Sequence, residues 1–119
     1  MNNQLLFDRV TNHLLTQRQC SEGDGSCLYR GPNGLKCAVG VLIEDEYYDP
    51  EMETNSPKND LVRKALEKSL GEKMTLDNIS LLTNLQDIHD NVDPGEWDIE
   101  LRNYADKNDL QFNYDEKAA

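Results

Sequence analysis

The 119-residue chain carries 23 acidic against 12 basic side chains, for a formal charge of −11 and an isoelectric point near 4.4. That length suits one domain with a core of its own. That charge repels nucleic acid and anionic membranes and attracts basic protein surfaces, which argues against direct DNA or RNA binding.

With 37% apolar residues and a mean hydropathy of −0.78, the core must be small and the surface strongly polar. Five tyrosines, one tryptophan and several phased apolar stripes weigh against disorder. No run approaches the roughly 18 apolar residues of a membrane span, and Met1-Asn-Asn-Gln lacks the basic start of a secretory signal. Three cysteines, an odd number without a paired framework, fit reduced thiols in a cytoplasmic setting.

In chain order, Leu6, Val10 and Leu14 recur four apart, with Leu5 and Phe7 widening the stripe, so a helix is expected over Gln4–Gln17. Cys20–Ser26 reads as a glycine-rich loop. A short hairpin is expected from Cys27, turning at Gly31-Pro32-Asn33-Gly34, where Pro32 pre-sets φ and Asn33-Gly34 tolerate positive φ. From Cys37 the run Ala-Val-Gly-Val-Leu-Ile reads as a short buried helix, with Ala38 and Gly40 allowing close approach of a neighbour.

Ser56-Pro57 offers an N-cap and a first-turn proline for a helix that carries Leu61, Ala65, Leu66 and Leu70 and closes at Gly71. Thr75 starts a longer helix with the stripe Leu76, Ile79, Leu82, Leu85, Ile88, His89 and Val92. Asp93-Pro94-Gly95-Glu96 is a start signal for a last helix that buries Trp97, Leu101, Tyr104 and Ala105. Leu110–Tyr114 can add an extended piece. The expected fold is mainly α (α+β): four to five helices around one short β-hairpin. Residues 1–114 form the domain and residues 115–119 a flexible tail.

The run Cys27-Leu-Tyr-Arg-Gly-Pro-Asn-Gly-Leu-Lys-Cys-Ala-Val-Gly-Val-Leu-Ile43, with Asp45 and Tyr47 after it, resembles a pattern in small uncharacterised bacterial and bacteriophage proteins. In that group a G-x-x-G turn leads to a C-A-x-G-x-L-I segment. Leu85-Gln-Asp-Ile-His-Asp90, Trp97 and Ala105 are similar to its second signature. The resemblance runs from the first helix to about Leu110. It implies a phage or mobile-element setting and a compact α-rich fold, and no active site.

Several constellations can be weighed from the residues themselves. Cys37 at a helix start would have a depressed thiol pKa, and His89 with Asp87 or Asp90 behind it could serve as its base, as a cysteine-dependent enzyme requires. The competing reading makes Cys37 a small buried apolar residue and His89 a hydrogen-bonded core histidine. Cys20, Cys27 and Cys37, spaced x6 and x9 with His13 and His89 elsewhere, lack the close C-x(2–4)-C pair of structural zinc sites, so no metal and no cofactor are expected. A calcium loop from Asp90 fails because Val92, Pro94 and Leu101 fall where oxygen ligands belong. Phosphate-binding and hydrolase motifs are absent.

What remains is the charge. Glu44–Glu53 holds six acids and no base, and the acids Glu44, Asp45, Glu46, Asp49, Glu51 and Glu53 alternate with Tyr47 and Tyr48. A second band runs through Asp87, Asp90, Asp93, Asp98 and Glu100. Acids steer a basic partner and tyrosines give rigid contact area, whereas the plain alternative is a solubilising face. The expected function is a non-enzymatic protein binding a basic protein surface, as an inhibitor or adaptor that presents carboxylates where phosphates are expected. A host nucleic-acid-binding or defence complex, such as a CRISPR effector or restriction enzyme, suits the phage setting. A homodimer is compatible with the sequence.

Overall fold

A computed structural model describes residues 2–23 and 26–114; the expected tail at 115–119 lies outside the described residues. Four α-helices are present among them: α1 (Asn3–Gln17), α2 (Asp60–Leu70), α3 (Leu76–Asn91) and α4 (Trp97–Lys107). One antiparallel pair, β1 (Glu22–Gly23) with β2 (Ser26–Cys27), completes the expected class of helices around a short hairpin.

Asn2 caps α1 by accepting from the backbone N–H groups of Gln4 and Leu5, and Leu6, Phe7, Val10, Leu14 and Leu15 are buried along it. Leu5 turns to solvent, 55% exposed, so Leu15 rather than Leu5 widens the stripe. In α3 Thr75 and Asn78 exchange side-chain-to-backbone hydrogen bonds as a capping box, with Thr75 Oγ1 accepting at 3.0 Å and Asn78 Oδ1 at 3.1 Å. Leu82, Leu85, Ile88 and His89 are buried as their spacing requires, but Leu76 at the helix start is 89% exposed. Helix α1 packs on α3 and α4, and the Phe7 and Tyr104 rings stack with centroids 6.3 Å apart.

Three expectations are corrected. The hairpin lies one turn earlier than its sequence signal: the stretch read as a loop forms β1 and β2, and the Pro32–Gly34 turn is closed by a single bridge between Arg30 and Lys36. Helix α2 is capped by Asn59, whose Oδ1 accepts from the Leu61 N–H at 2.9 Å. Ser56-Pro57 instead makes a separate turn, with Pro57 buried. The apolar stretch after Cys37 is no α-helix but a tight coil ending in the 3-10 turn Gly40–Leu42.

Side chains from elsewhere supply the partners that a helix would have given this coil. Gln86 Oε1 accepts from the Val39 N–H at 3.0 Å, and Cys37 Sγ accepts from the Gly40 N–H at 3.2 Å. The Arg30 guanidinium donates to the carbonyls of Gly40 at 2.7 Å and Ile43 at 2.6 Å. Glycine at position 40 is required by proximity, because a Cβ there would collide with the Tyr29 carbonyl.

The collision is with backbone, so it cannot be relieved by a side-chain rotation. Gly40→Ala should therefore lower unfolding free energy by about 1–3 kcal/mol, the usual cost of overpacking. Urea denaturation measures this, and an alanine variant as stable as the parent would mean that the coil can move away from Tyr29.

Candidate functional site

The acidic segment runs over two consecutive 3-10 turns, Asp45–Tyr47 and Pro50–Met52. It is held at both ends. At its start the Glu44 N–H donates to Ser69 Oγ on α2 at 2.8 Å, and Arg30 donates to Asp45 Oδ1 at 3.0 Å. Further on Met52 is sunk into the core at 1% exposure. Glu53 then turns its carboxylate inward: Oε1 accepts from the Tyr29 N–H at 2.7 Å, and Oε2 from the Arg30 N–H at 3.2 Å and the Tyr48 hydroxyl at 2.6 Å.

The eight residues that the sequence groups as one face therefore divide by task. Glu53 is an internal acceptor. Asp49 caps the second turn by accepting from the Glu51 N–H at 2.9 Å. Asp45 pairs with Arg30 while remaining 86% exposed. Tyr48 lies beneath the Arg30 guanidinium, 4.9 Å from its ring centre, and burial with the Glu53 contact pushes its phenol up to about 12. Tyr47 is half-buried with the Lys68 ammonium 6.0 Å from its ring centre. Glu44, Glu46 and Glu51 are exposed on this fixed backbone.

The second acidic band is more occupied with local work. Asp93 accepts from the Gly95 N–H at 3.0 Å, Asp87 from Asn91 at 2.6 Å, and Asp90 from Gln86 at 2.8 Å.

Cys37 and His89 are placed apart in role. Cys37 is 1% exposed, and burial pushes its thiol up to about 12, against the modest opposing effect of the Gly40 and Val39 amides. His89 is also buried, stacked on Trp97 with ring centres 5.5 Å apart. Its Nε2 lies 2.9 Å from the Ser21 backbone nitrogen. An amide N–H only donates, so Nε2 accepts and the ring proton sits on Nδ1, which donates to Asp90 Oδ1 at 2.8 Å. Burial pulls the Asp90 carboxyl up, but the hydrogen bonds it accepts from His89 and Gln86 hold it below the usual carboxylate range. Both ring nitrogens of His89 thus serve the fold rather than Cys37.

The three cysteines are not the unconnected thiols that their spacing suggests. Cys20 lies two residues before β1 and Cys27 ends β2; their sulfurs and a ring nitrogen of His89 lie within 4.8 Å of one another, and the Cys20 thiol donates to the His89 carbonyl at 3.6 Å. Burial raises both thiols, and with nearby Asp90 it takes Cys27 to about 12. His13 lies elsewhere, with Nε2 2.8 Å from the Lys36 carbonyl, and burial lowers its pKa. Beside Cys27 opens a cavity of about 350 Å³ lined also by Tyr29, Cys37, Asn84, Asp87 and Asp90. The one sequence signal for the Cys20–Cys27 pairing is the pair of glycines at 23 and 25 between them; the antiparallel pairing of β1 with β2 folds the x6 spacing back on itself.

No known protein family matches the chain, and no curated protein or solved structure is similar to it. No helix among the described residues is long and apolar enough to cross a membrane.

The burial and raised pKa of Cys37 predict its chemistry. With an alkylating probe at pH 8, Cys37 should react at least tenfold more slowly than free cysteine, and reach that rate only in denaturant. Peptide mapping after timed quenching reads this. Fast labelling of folded Cys37 would restore the nucleophile reading.

Proposed function

We propose that this is a small, acidic, non-enzymatic protein that binds a basic protein surface through the 44–53 segment. The single observation that carries this reading is the set of internal bonds that fix the backbone of that segment. Arg30, Ser69, Met52 and Glu53 fix its backbone, so Glu44, Glu46 and Glu51 project from a pre-formed surface. Fixing charges before binding removes the ordering cost that a flexible acidic loop would meet on docking. Tyr47 and Tyr48, packed at the base of the segment, add aromatic edges to the same face.

Carboxylates displayed at fixed spacing suit a partner surface built to receive phosphates. The proposed partner is therefore a nucleic-acid-binding protein, and the resemblance to phage-type sequences favours a host defence complex such as a CRISPR effector. The protein would act there as an inhibitor, occupying the basic surface in place of nucleic acid.

The division of tasks within the segment sharpens the test. Reversing Asp45, Asp49 or Glu53 would disturb internal bonds, so the informative variant is Glu44→Lys with Glu46→Lys and Glu51→Lys. Immobilised parent and variant are presented in parallel to host lysate at low and moderate salt. The expected result is a basic nucleic-acid-binding protein retained by the parent, weakened by salt and at least tenfold depleted on the variant, with unfolding midpoints unchanged. Equal capture by parent and variant would reject the acidic face as the binding surface.

A further inference from the structure

We infer that Cys20, Cys27 and His89 form a binding site for a zinc-like divalent ion that ties the β1–β2 hairpin to helix α3. The ligand atoms of these three residues all lie within 4.8 Å of one another. Tetrahedral zinc, with bonds of about 2.3 Å to sulfur and 2.0–2.1 Å to nitrogen, needs ligand separations of about 3.5–3.8 Å. Closing the site draws the ligand atoms together by about 1 Å, with Cys27 at the end of β2 and Cys20 just before β1.

The surroundings fit the ion's second shell. In zinc proteins a ligating histidine usually gives its other ring N–H to a carboxylate, which fixes the ring and strengthens the ligand. His89 already does this, with Nδ1–H donating to Asp90 Oδ1 at 2.8 Å and the ring face held by Trp97. Nε2 is then the nitrogen left for the metal. Its lone pair accepts from the Ser21 N–H, so loading gives up that hydrogen bond and the Cys20 thiol's donation to the His89 carbonyl in exchange for coordinate bonds.

The ligand set selects the ion. Two thiolates with one imidazole favour zinc over magnesium or calcium, which take oxygen. Loading releases the two S–H protons, the thiolates neutralise the divalent charge, and His89 keeps its Nδ1 proton throughout. Cys27, one of the three ligands, also lines the cavity beside Asp90. Three protein ligands with a fourth place open is the arrangement of zinc sites that accept water or a further ligand.

The experiment uses the full chain, reduced and stripped with chelator, titrated with Zn²⁺ against a chromogenic competitor and with Co²⁺ followed by absorption. Expected are one ion per chain, a thiolate-to-cobalt charge-transfer band with tetrahedral d–d bands, and release of about two protons per zinc. Because both thiols are protonated at neutral pH, apparent affinity should fall by up to about 100-fold for each unit that pH is lowered. Cys20→Ser and Cys27→Ser should each weaken binding by more than about 100-fold, Asp90→Asn by about 10–100-fold, and Cys37→Ala should leave it unchanged. Cys20 and Cys27 are only half-buried, so their serine variants should keep the parent's circular dichroism. Parent-like affinity in the double serine variant, a cobalt spectrum without the thiolate band, or no zinc uptake by fully reduced protein would each overturn the assignment.

Discussion

Residues 28–59 contain neither α-helix nor strand, and their order depends on Glu53 and Arg30. Glu53 gathers two successive backbone amides and the Tyr48 hydroxyl onto one carboxylate, and Arg30 gathers the Gly40 and Ile43 carbonyls onto one guanidinium. An irregular segment inside a folded domain must still satisfy its backbone polar groups. Here two charged side chains do for the loop what a ladder does for a sheet. Charge-assisted bonds of this kind contribute about 1.5–3 kcal/mol each, enough to hold a coil that has little propensity to order itself. Arginine suits the task because its planar fork reaches two carbonyls at once.

The same pair links the core to the surface. The Tyr29–Arg30 backbone that Glu53 holds leads directly to the guanidinium that fixes Asp45 and covers Tyr48. The exposed acids therefore stand on a base whose position is set by the Gly40–Tyr29 contact in the interior. A buried close approach and a surface charge pattern become parts of one construction.

The helices were legible because their signals are local. Leu6, Val10 and Leu14 on α1, and Leu82, Leu85 and Ile88 on α3, bury as their period requires. Thr75 begins α3 because its hydroxyl lies within reach of the Asn78 amide. The run after Cys37 was not legible, since its fate was decided by Arg30, Gln86 and Tyr29, the second of which lies 47 residues away from Val39. For the same reason the acids of 44–53 could be found in sequence but not sorted, because nothing local shows that Glu53 faces inward. The Cys20–Cys27–His89 grouping was hidden in another way. Its spacing resembles no metal motif until β1 pairs with β2 and α3 brings His89 alongside.

The stacking of Trp97 on His89 gives the molecule an optical reporter. Trp97 is the sole tryptophan, is fully buried, and anchors its indole N–H on the Val92 carbonyl at 3.0 Å. The imidazole against its face also receives the Ser21 amide, and so touches both the helical core and the hairpin. Any event that lifts the hairpin or charges the ring changes the electronic surroundings of one indole. The tryptophan fluorescence of this protein therefore reports on a single junction, the one at which its two kinds of structure meet.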